Sequence, residues 1–504
     1  MLRDRYDPMN LFTLVPALGM QLDPLLMRLD RLLDDDAVFQ VVKADLMKRH
    51  PRTATDGRPS TPVEVIMRML IVKHLYDWSY QATEQWVGDS LVLRQFCRVY
   101  AERVPDDTTL IRWANLIQPA TLQQLLDQIT DRARQLRVTR GRKLRLDSTV
   151  VATNIHYPVD STLLADGVRV LTRTLQRAKP LLAGVVDHAR TLFRDRTRSV
   201  RRVTKRLIDA ARRRGDAAQQ QVQEGYRQLL TLTQQVVDQA RQVQQHLQKR
   251  ADRAAQRLHQ TLQTFLPRVE QVITQTRRRV IQGEAVPAGA KLVSLFEPHT
   301  AIIRKGKPGH ATEFGRVLWL AEADGGIITQ ARVLAGNPDD AAQLLPSLDQ
   351  HKEQFGHPPD LLTGDGKLAT PTNEQTAQQR GVRHVVLPRP GRKTTARIAH
   401  ERQRWFRKGR DWRAGIEGRI SGLKRRHGLD CCRYHGDTGM ERWVGWGVIA
   451  HDLRMIAQHQ ADRATRQATR QHCQAPQPLA RAASPGRSWK MRKHFTPISC
   501  FGAV

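Results

Sequence analysis

Cysteine is scarce in this chain. Cys97, Cys431, Cys432, Cys473 and Cys500 are the full set in 504 residues, an odd number without paired C-x-x-C spacing. Such a set suggests neither a zinc cage nor a disulfide framework, and a reducing compartment is the expectation. A secretory leader is also missing, because Met1-Leu2-Arg3-Asp4-Arg5 runs into a short apolar stretch broken by Pro16, without an apolar core or a cleavage site. Long hydrophobic runs are absent, and the one around Trp443 to Ala450 is far too short to span a bilayer. A cytoplasmic protein is expected.

Acidic residues are few as well. There are 49 Asp plus Glu against 82 Lys plus Arg, a formal net charge of +33. A surplus of that size works against the compact state by self-repulsion, which an acidic polymer relieves. Nucleic acid is the commonest such polymer, since each basic side chain that neutralises a phosphate releases a condensed counterion. An anionic membrane surface or ribosomal RNA fits the charge equally well. The length allows two or three domains with real cores.

From about Leu22 to Leu136 the apolar residues recur at helical spacing, as in Val65, Met69, Val72 and Leu75. Thr61 and Glu64 have the pattern of a capping box, with Pro62 at the first helical position. A second helix start is written as Pro105-Asp106-Asp107-Thr108-Thr109, leading into Leu110, Trp113, Leu116 and Ile117. The pattern changes to period two between Lys143 and Val151, which predicts a strand with Leu144 and Leu146 on one face and Arg145, Asp147 and Thr149 on the other. A Gln- and Arg-rich segment, Leu164 to Val280, then carries Leu230, Val237, Ala240, Val243, Leu247, Ala251, Ala254, Leu258 and Leu262 at a three-or-four spacing. That seam predicts a helical hairpin or coiled coil, with breaks at Pro180 and Pro267 and a turn near Gly215.

Strand patterns return at Arg316 to Ala321 and Ile327 to Leu334, joined by Ala323-Asp324-Gly325-Gly326 as a tight hairpin. A helix after Asn337-Pro338-Asp339-Asp340, a strand Asp360 to Thr363 ending in Gly364-Asp365-Gly366, a helix Asn373 to Arg380, a strand His384 to Leu387 and a helix Asp411 to Arg426 complete the order. The fold class is therefore α/β, with a mixed sheet covered by helices, a long inserted coiled-coil-like helical segment and an all-helical N-terminal region. The expected divisions are 1–137, 138–163, 164–290, 291–457 and a loose basic tail, 458–504.

Asp147 within the first strand, Asp365 just past a buried strand and Glu417 on the last core helix stand out by position. If the two strands are parallel, the two Asp side chains converge, and a helix packed across the sheet adds the Glu. Three such carboxylates offer hard oxygen ligands to Mg²⁺, and a pair of ions supports in-line phosphoryl displacement. Each residue also has an ordinary reading: a turn Asp between glycines, a surface ion pair on a basic helix, a strand Asp at an exposed edge. Arg413 lies four residues before Glu417 and Lys424 seven after it, both on its helix face, where an anionic strand would meet them.

With these residues the sequence resembles the DDE transposases of bacterial insertion sequences, most closely the ISNCY-type group. The family's R-x3-E-x6-K signature is matched by Arg413, Glu417 and Lys424, whereas its usual tyrosine three residues before the arginine is replaced by Arg410. Asp147-Ser148-Thr149-Val150-Val151 is similar to the first catalytic motif, Asn154 to Ser161 to the segment after it, and Gly364-Asp365-Gly366 to the second. Gly57-Arg58-Pro59 and Pro105 to Leu110 resemble landmarks of the N-terminal transposase domain, so the likeness covers roughly residues 20 to 457. It implies an RNase H-like core, Mg²⁺ or Mn²⁺ as cofactor, binding to the terminal inverted repeats and to target DNA, strand cleavage and transfer, a homodimer or higher oligomer on DNA, and nucleoid association.

Lys305, Lys307, Arg389, Arg392 and Lys393 lie in Gly- and Pro-containing loops, where phosphate contacts and plain solvation are both open. Asp160 reads as an extra metal ligand or as the cap of the next helix. Two other functions compete: an RNase H-like nuclease without strand transfer, and a non-catalytic DNA-binding protein whose coiled segment bridges duplexes.

Overall fold

The computed structural model describes residues 1–6, 23–49, 52–53, 56, 59–183, 189–307 and 310–474, so Gly57 and Arg58 lie outside the described residues. Residues 1–459 form one compact unit, and 460–504 a second, of which 460–474 are described, as helix.

The chain begins with helices α1 (Pro24–Leu33), α2 (Asp36–Met47), α3 (Val63–Leu75), α4 (Tyr80–Asp89), α5 (Leu91–Phe96), α6 (Asp107–Leu116) and α7 (Pro119–Gln135). All thirteen residues of α3 are buried, so it is the central helix of this layer rather than an amphipathic one. Its buried Arg68 is matched by Glu64 at 2.9 Å, Asp30 of α1 at 2.7 Å and the Phe96 carbonyl of α5 at 3.1 Å. The capping box expected at Thr61 and Glu64 does not form. Pro62 itself is the N-cap without a side-chain bond, because the Glu64 carboxylate is taken by Arg68 and by Arg5 at 3.0 Å. At α6 the expected cap does form, with Asp106 accepting from the Thr109 amide at 2.7 Å.

Strand β1 (Lys143–Thr153) follows, then, among the described residues and besides the single turn Ala189–Leu192, four longer helices: α8 (Asp160–Ala178), α9 (Thr197–Ala211), α10 (Asp216–Gln248) and α11 (Arg253–Thr276). They share a core of their own, including Leu171, Val203, Leu230, Val237, Val243, Leu262 and Val269. The seam is interrupted rather than continuous: Ala251 and Ala254 are exposed, Asp252 caps α11, and burial resumes at Ala255. Gly215, at φ 105°, forms the turn before α10, and Pro180 sits in the short 3₁₀ turn after α8. Pro267 breaks nothing. It lies inside α11, where Leu266, Val269, Val272 and Ile273 are buried on both sides of it, and packing holds the helix together despite one missing backbone donor.

The rest of the chain builds the sheet and its cover: β2 (Ala301–Lys307), β3 (His310–Ala323), β4 (Ile328–Leu334), α12 (Leu344–Phe355), β5 (Leu361–Thr363), α13 (Pro371–Gln379), β6 (His384–Val386), α14 (Thr395–Arg402), α15 (Arg404–Arg426), β7 (Cys431–Cys432) and α16 (Asp437–Gln474). The seven strands form one mixed sheet in the order β2-β3-β1-β5-β6, with β4 also on β3 and β7 also on β1. Strand β3 pairs antiparallel with β1 along one edge and with β2 and then β4 along the other. Gly325 and Gly326, at φ 79° and 80°, turn β3 into β4 as the sequence requires. The other edge of β1 is divided: β5 pairs parallel with Lys143 to Arg145 only, and β7 with Ala152 and Thr153 only.

Each face of the sheet has its own cover. Leu144, Leu146, Trp319 and Leu362 pack with Leu344 and Leu348 of α12. On the opposite face Val151, Leu318 and Leu320 join the core of the N-terminal helices and α16, with Leu110, Trp113, Trp443 and Trp446. Helix α16 extends to Gln474, past the point where polar composition suggests a loose tail, and residues from 475 on lie outside the described residues.

One buried ion pair fastens α15 to this frame. Arg145 of β1 stands opposite Glu322 of β3 and meets it with two hydrogen bonds, at 2.6 and 2.9 Å, while its third nitrogen donates to the Trp412 carbonyl of α15 at 2.5 Å. Arg145→Met leaves Glu322 buried and short of a partner, and urea unfolding is expected to show a loss of about 3–5 kcal/mol. Arg145→Met with Glu322→Leu is expected to recover part of it. A single-variant loss below about 1 kcal/mol, the scale of a surface pair, contradicts this role.

Candidate active site

The register of the parallel strands brings the two aspartates together. Arg145 pairs with Thr363, so Asp147 and Asp365, two residues further along each chain segment, stand at the same level. There β5 has ended and β7 has not yet begun, so the edge of β1 opens into a cavity of about 1240 Å³. Asp147 and Asp365 line it, with Glu417, Arg413 and Lys424 from α15 across from them. The sequence-predicted carboxylates and their two helix cations therefore all face one space.

Helix α15 reaches this position through close approach to the sheet. A Cβ at Gly415 would stand 2.6 Å from Arg145 Nη1, and one at Gly409 2.6 Å from a Val386 methyl, so glycine is needed at both contacts. Ile416 and Leu423 are buried beneath the helix while Glu417 is exposed toward the cavity. Arg413, one turn before Glu417, sets its Nη2 3.8 Å from Asp147 Oδ2 and 3.6 Å from Asp365 Oδ1. Asp365 Oδ1 also accepts from the Gly366 amide at 2.6 Å, and Asp147 Oδ1 from the Ser148 amide at 2.8 Å. Lys424 stands 3.8 Å from Asp430.

Among the described residues no three His, Cys, Asp or Glu side chains are grouped closely enough to hold a metal ion as they stand. The donor set nevertheless fits a hard divalent cation in kind, and a cationic group already occupies the position between Asp147 and Asp365, in the form of the Arg413 guanidinium.

The cavity holds further charged residues that the sequence did not single out, among them Asp77, Arg304, Asp340, Lys367, Arg425 and Arg433. Asp340 is legible only as part of a helix start, but Asp339 does the capping, and Asp340 instead accepts from Ser148 Oγ at 3.1 Å. Asp160 does not line the cavity. It is buried in the first turn of α8, paired with Arg279 at 2.7 Å and Gln275 at 3.2 Å, a structural role.

Residues 19–116 match the family model described as Transposase domain (DUF772). The chain thus carries a transposase domain. No curated protein and no solved structure matches it. The matched segment contains α1 to α6 and both N-terminal landmarks of the sequence. The transposase domain shares its core with the sheet, through Leu110 and Trp113 among Leu318, Leu320 and Trp443. A transposase family implies DNA as partner. No described helix is long and apolar enough to cross a membrane.

The loop cations are placed differently from the helix cations. Lys305 and Lys307 fall in β2, and their side chains are outside what the structure describes. Arg389 and Lys393 do not line the cavity and are bound to acids: Arg389 to Glu374 at 2.7 Å, and Lys393 to Glu401, which Arg397 also holds at 2.8 Å. Burial raises the Glu401 pKa, but the hydrogen bonds from Lys393 and Arg397 outweigh it and hold the group at about 2. A carboxylate depressed in the folded state contributes stability that is complete above its unfolded value and is lost as pH falls through the folded one. Glu401→Gln is therefore expected to melt below the parent protein at pH 7, with a gap that narrows between about pH 5 and pH 2. An equal gap at pH 7 and pH 3 contradicts the network.

Proposed function

We propose that this chain is a DNA transposase that binds the inverted-repeat ends of an insertion sequence and cuts and joins DNA strands at Asp147, Asp365 and Glu417. The observation that carries this reading is the meeting of those three carboxylates with Arg413 and Lys424 on one cavity, in a chain with a transposase domain. In this reading the sheet is an RNase H-like core interrupted by α8 to α11, and the arrangement is of the DDE type.

Asp147, Asp365 and Glu417 would hold Mg²⁺ or Mn²⁺, which supplies polarisation of the scissile phosphate and activation of the attacking oxygen. The chain's own residues receive and orient the strand. Arg413 and Lys424 are eleven residues apart on one helix face, about 16 Å along the axis. A strand lying along α15 meets a cation at each end of the site, with Glu417 between them. Arg413 balances the charge of the two aspartates, and the sheet fixes their spacing through the β1–β5 register. Joining two ends requires both to be held at once, which makes the acting form a homodimer or a higher oligomer.

Asp147→Asn keeps the side-chain volume and removes one charge from the metal site, while the many basic residues that neutralise phosphate are untouched. Cleavage and joining at the element ends are expected to fall by at least about 10²-fold, the scale of losing one electrostatic partner in a transition state. End binding without metal, at fixed salt, stays within about twofold. A folded Asp147→Asn protein that joins ends at the parental rate contradicts the proposal, and a parent protein that hydrolyses ends without joining them points to a nuclease.

A further inference from the structure

Helix α9 presents a row of cations away from the active site. Arg198, Arg201, Arg202, Lys205 and Arg206 are all exposed and follow the spacing of a single helix face. The opposite face, Val200, Val203, Leu207 and Ala210, is buried in the core of the four inserted helices. Three more exposed arginines follow at 212–214. None of the five forms an ion pair with a described residue. Arg206 alone has a side-chain partner, the neutral Gln228 at 3.3 Å. Some cations on the neighbouring helices are neutralised, as Arg241 by Glu270 at 2.8 Å, and others such as Arg173 and Arg257 are not, but none of those forms a row of this density on one helix face. The row on α9 is thus a strongly positive field about 12 Å long, at 1.5 Å per residue from Arg198 to Arg206, with five cations against Asp209, the one acid of the helix.

We propose that this face of α9 is a second contact for duplex DNA, gripping the phosphate backbone outside the catalytic cavity. The inference rests on the reading of the chain as a DNA-acting enzyme and adds a surface to it. A membrane is a poor fit, because a helix that binds at a lipid surface needs its apolar face for the acyl boundary, and here that face is already in the core. A protein partner is a poor fit as well, since the helix carries no aromatic residue to serve as a buried anchor. Duplex DNA carries one charge per about 1.7 Å of axis, so a row of this length faces several phosphates at once. Its cations position the duplex without reading bases, and the surface acts on any sequence alike.

The test uses the full chain, a 30-base-pair duplex of arbitrary sequence and no metal, with affinity measured across a salt series. Replacing the five residues by Gln is expected to reduce the slope of log K against log salt by about 3 to 5, at about 0.9 for each phosphate no longer neutralised. Replacing the four arginines by Lys keeps the charge, and its slope stays within about 1 of the parent. Thermal melting confirms that both variants are folded, which their exposure favours. A parent that binds with a steep slope and a Gln variant with the same slope overturn the α9 surface and leave the transposase reading intact. A parent that does not bind duplex DNA overturns both. A weakening seen on duplex RNA and not on DNA overturns the assignment of partner.

Discussion

The Arg145–Glu322 pair is the constraint on which the site depends. Removing two charges from water is expensive unless every donor and acceptor finds a partner, and this pair meets that condition by recruiting a third element. Glu322 takes both hydrogen bonds of the Arg145 fork and stands 3.3 Å from Arg419 Nε, while the remaining Arg145 nitrogen is satisfied by the Trp412 carbonyl. Trp412 and Arg419 bracket Arg413 and Glu417 on α15. A helix anchored on either side of those residues has its cavity-facing side chains fixed in height and rotation relative to Asp147, two residues along β1 from Arg145.

The second constraint is the divided edge of β1. A parallel strand that ends at Thr363 and another that starts at Cys431 leave the middle of β1 open on that side, and the cavity is what the opening becomes once α15 crosses it. The N-terminal helices contribute indirectly. They share a hydrophobic core with β3 and α16, so the transposase domain backs the sheet. The four inserted helices have a core cluster of their own, and α9, which carries the outward charge, contributes no residue to the lining of the cavity.

Much of this is legible locally. Period-two alternation reveals β1 and the face of Asp147, the glycines at 325 and 326 reveal the hairpin, and the spacing of Arg413, Glu417 and Lys424 places them on one helix face. What is not legible depends on partners distant in sequence. Glu64 reads as a capping residue although Arg68, four residues on, offers a local helix pair, because its second partner, Arg5, is distant in sequence and the burial of the whole helix is not written locally. Arg389 and Lys393 look like loop cations because Glu374 and Glu401 reach them only once α13 and α14 have packed. Strand β7 is two residues long and exists only as a partner of β1, too short for any periodicity to announce it. Ion pairs and short parallel pairings are products of topology, whereas alternation and turn chemistry are written in the chain.

The central proposal is that Asp147, Asp365 and Glu417 hold a divalent metal ion, with the Arg413 guanidinium at present lying between the two aspartates. Diffraction from crystals soaked in Mn²⁺, with anomalous differences collected at the manganese edge, tests it most directly. The account predicts a peak touching the carboxylates of both aspartates, with the Arg413 guanidinium displaced from between them. An Arg413 left in place, with manganese bound elsewhere or nowhere, would contradict it.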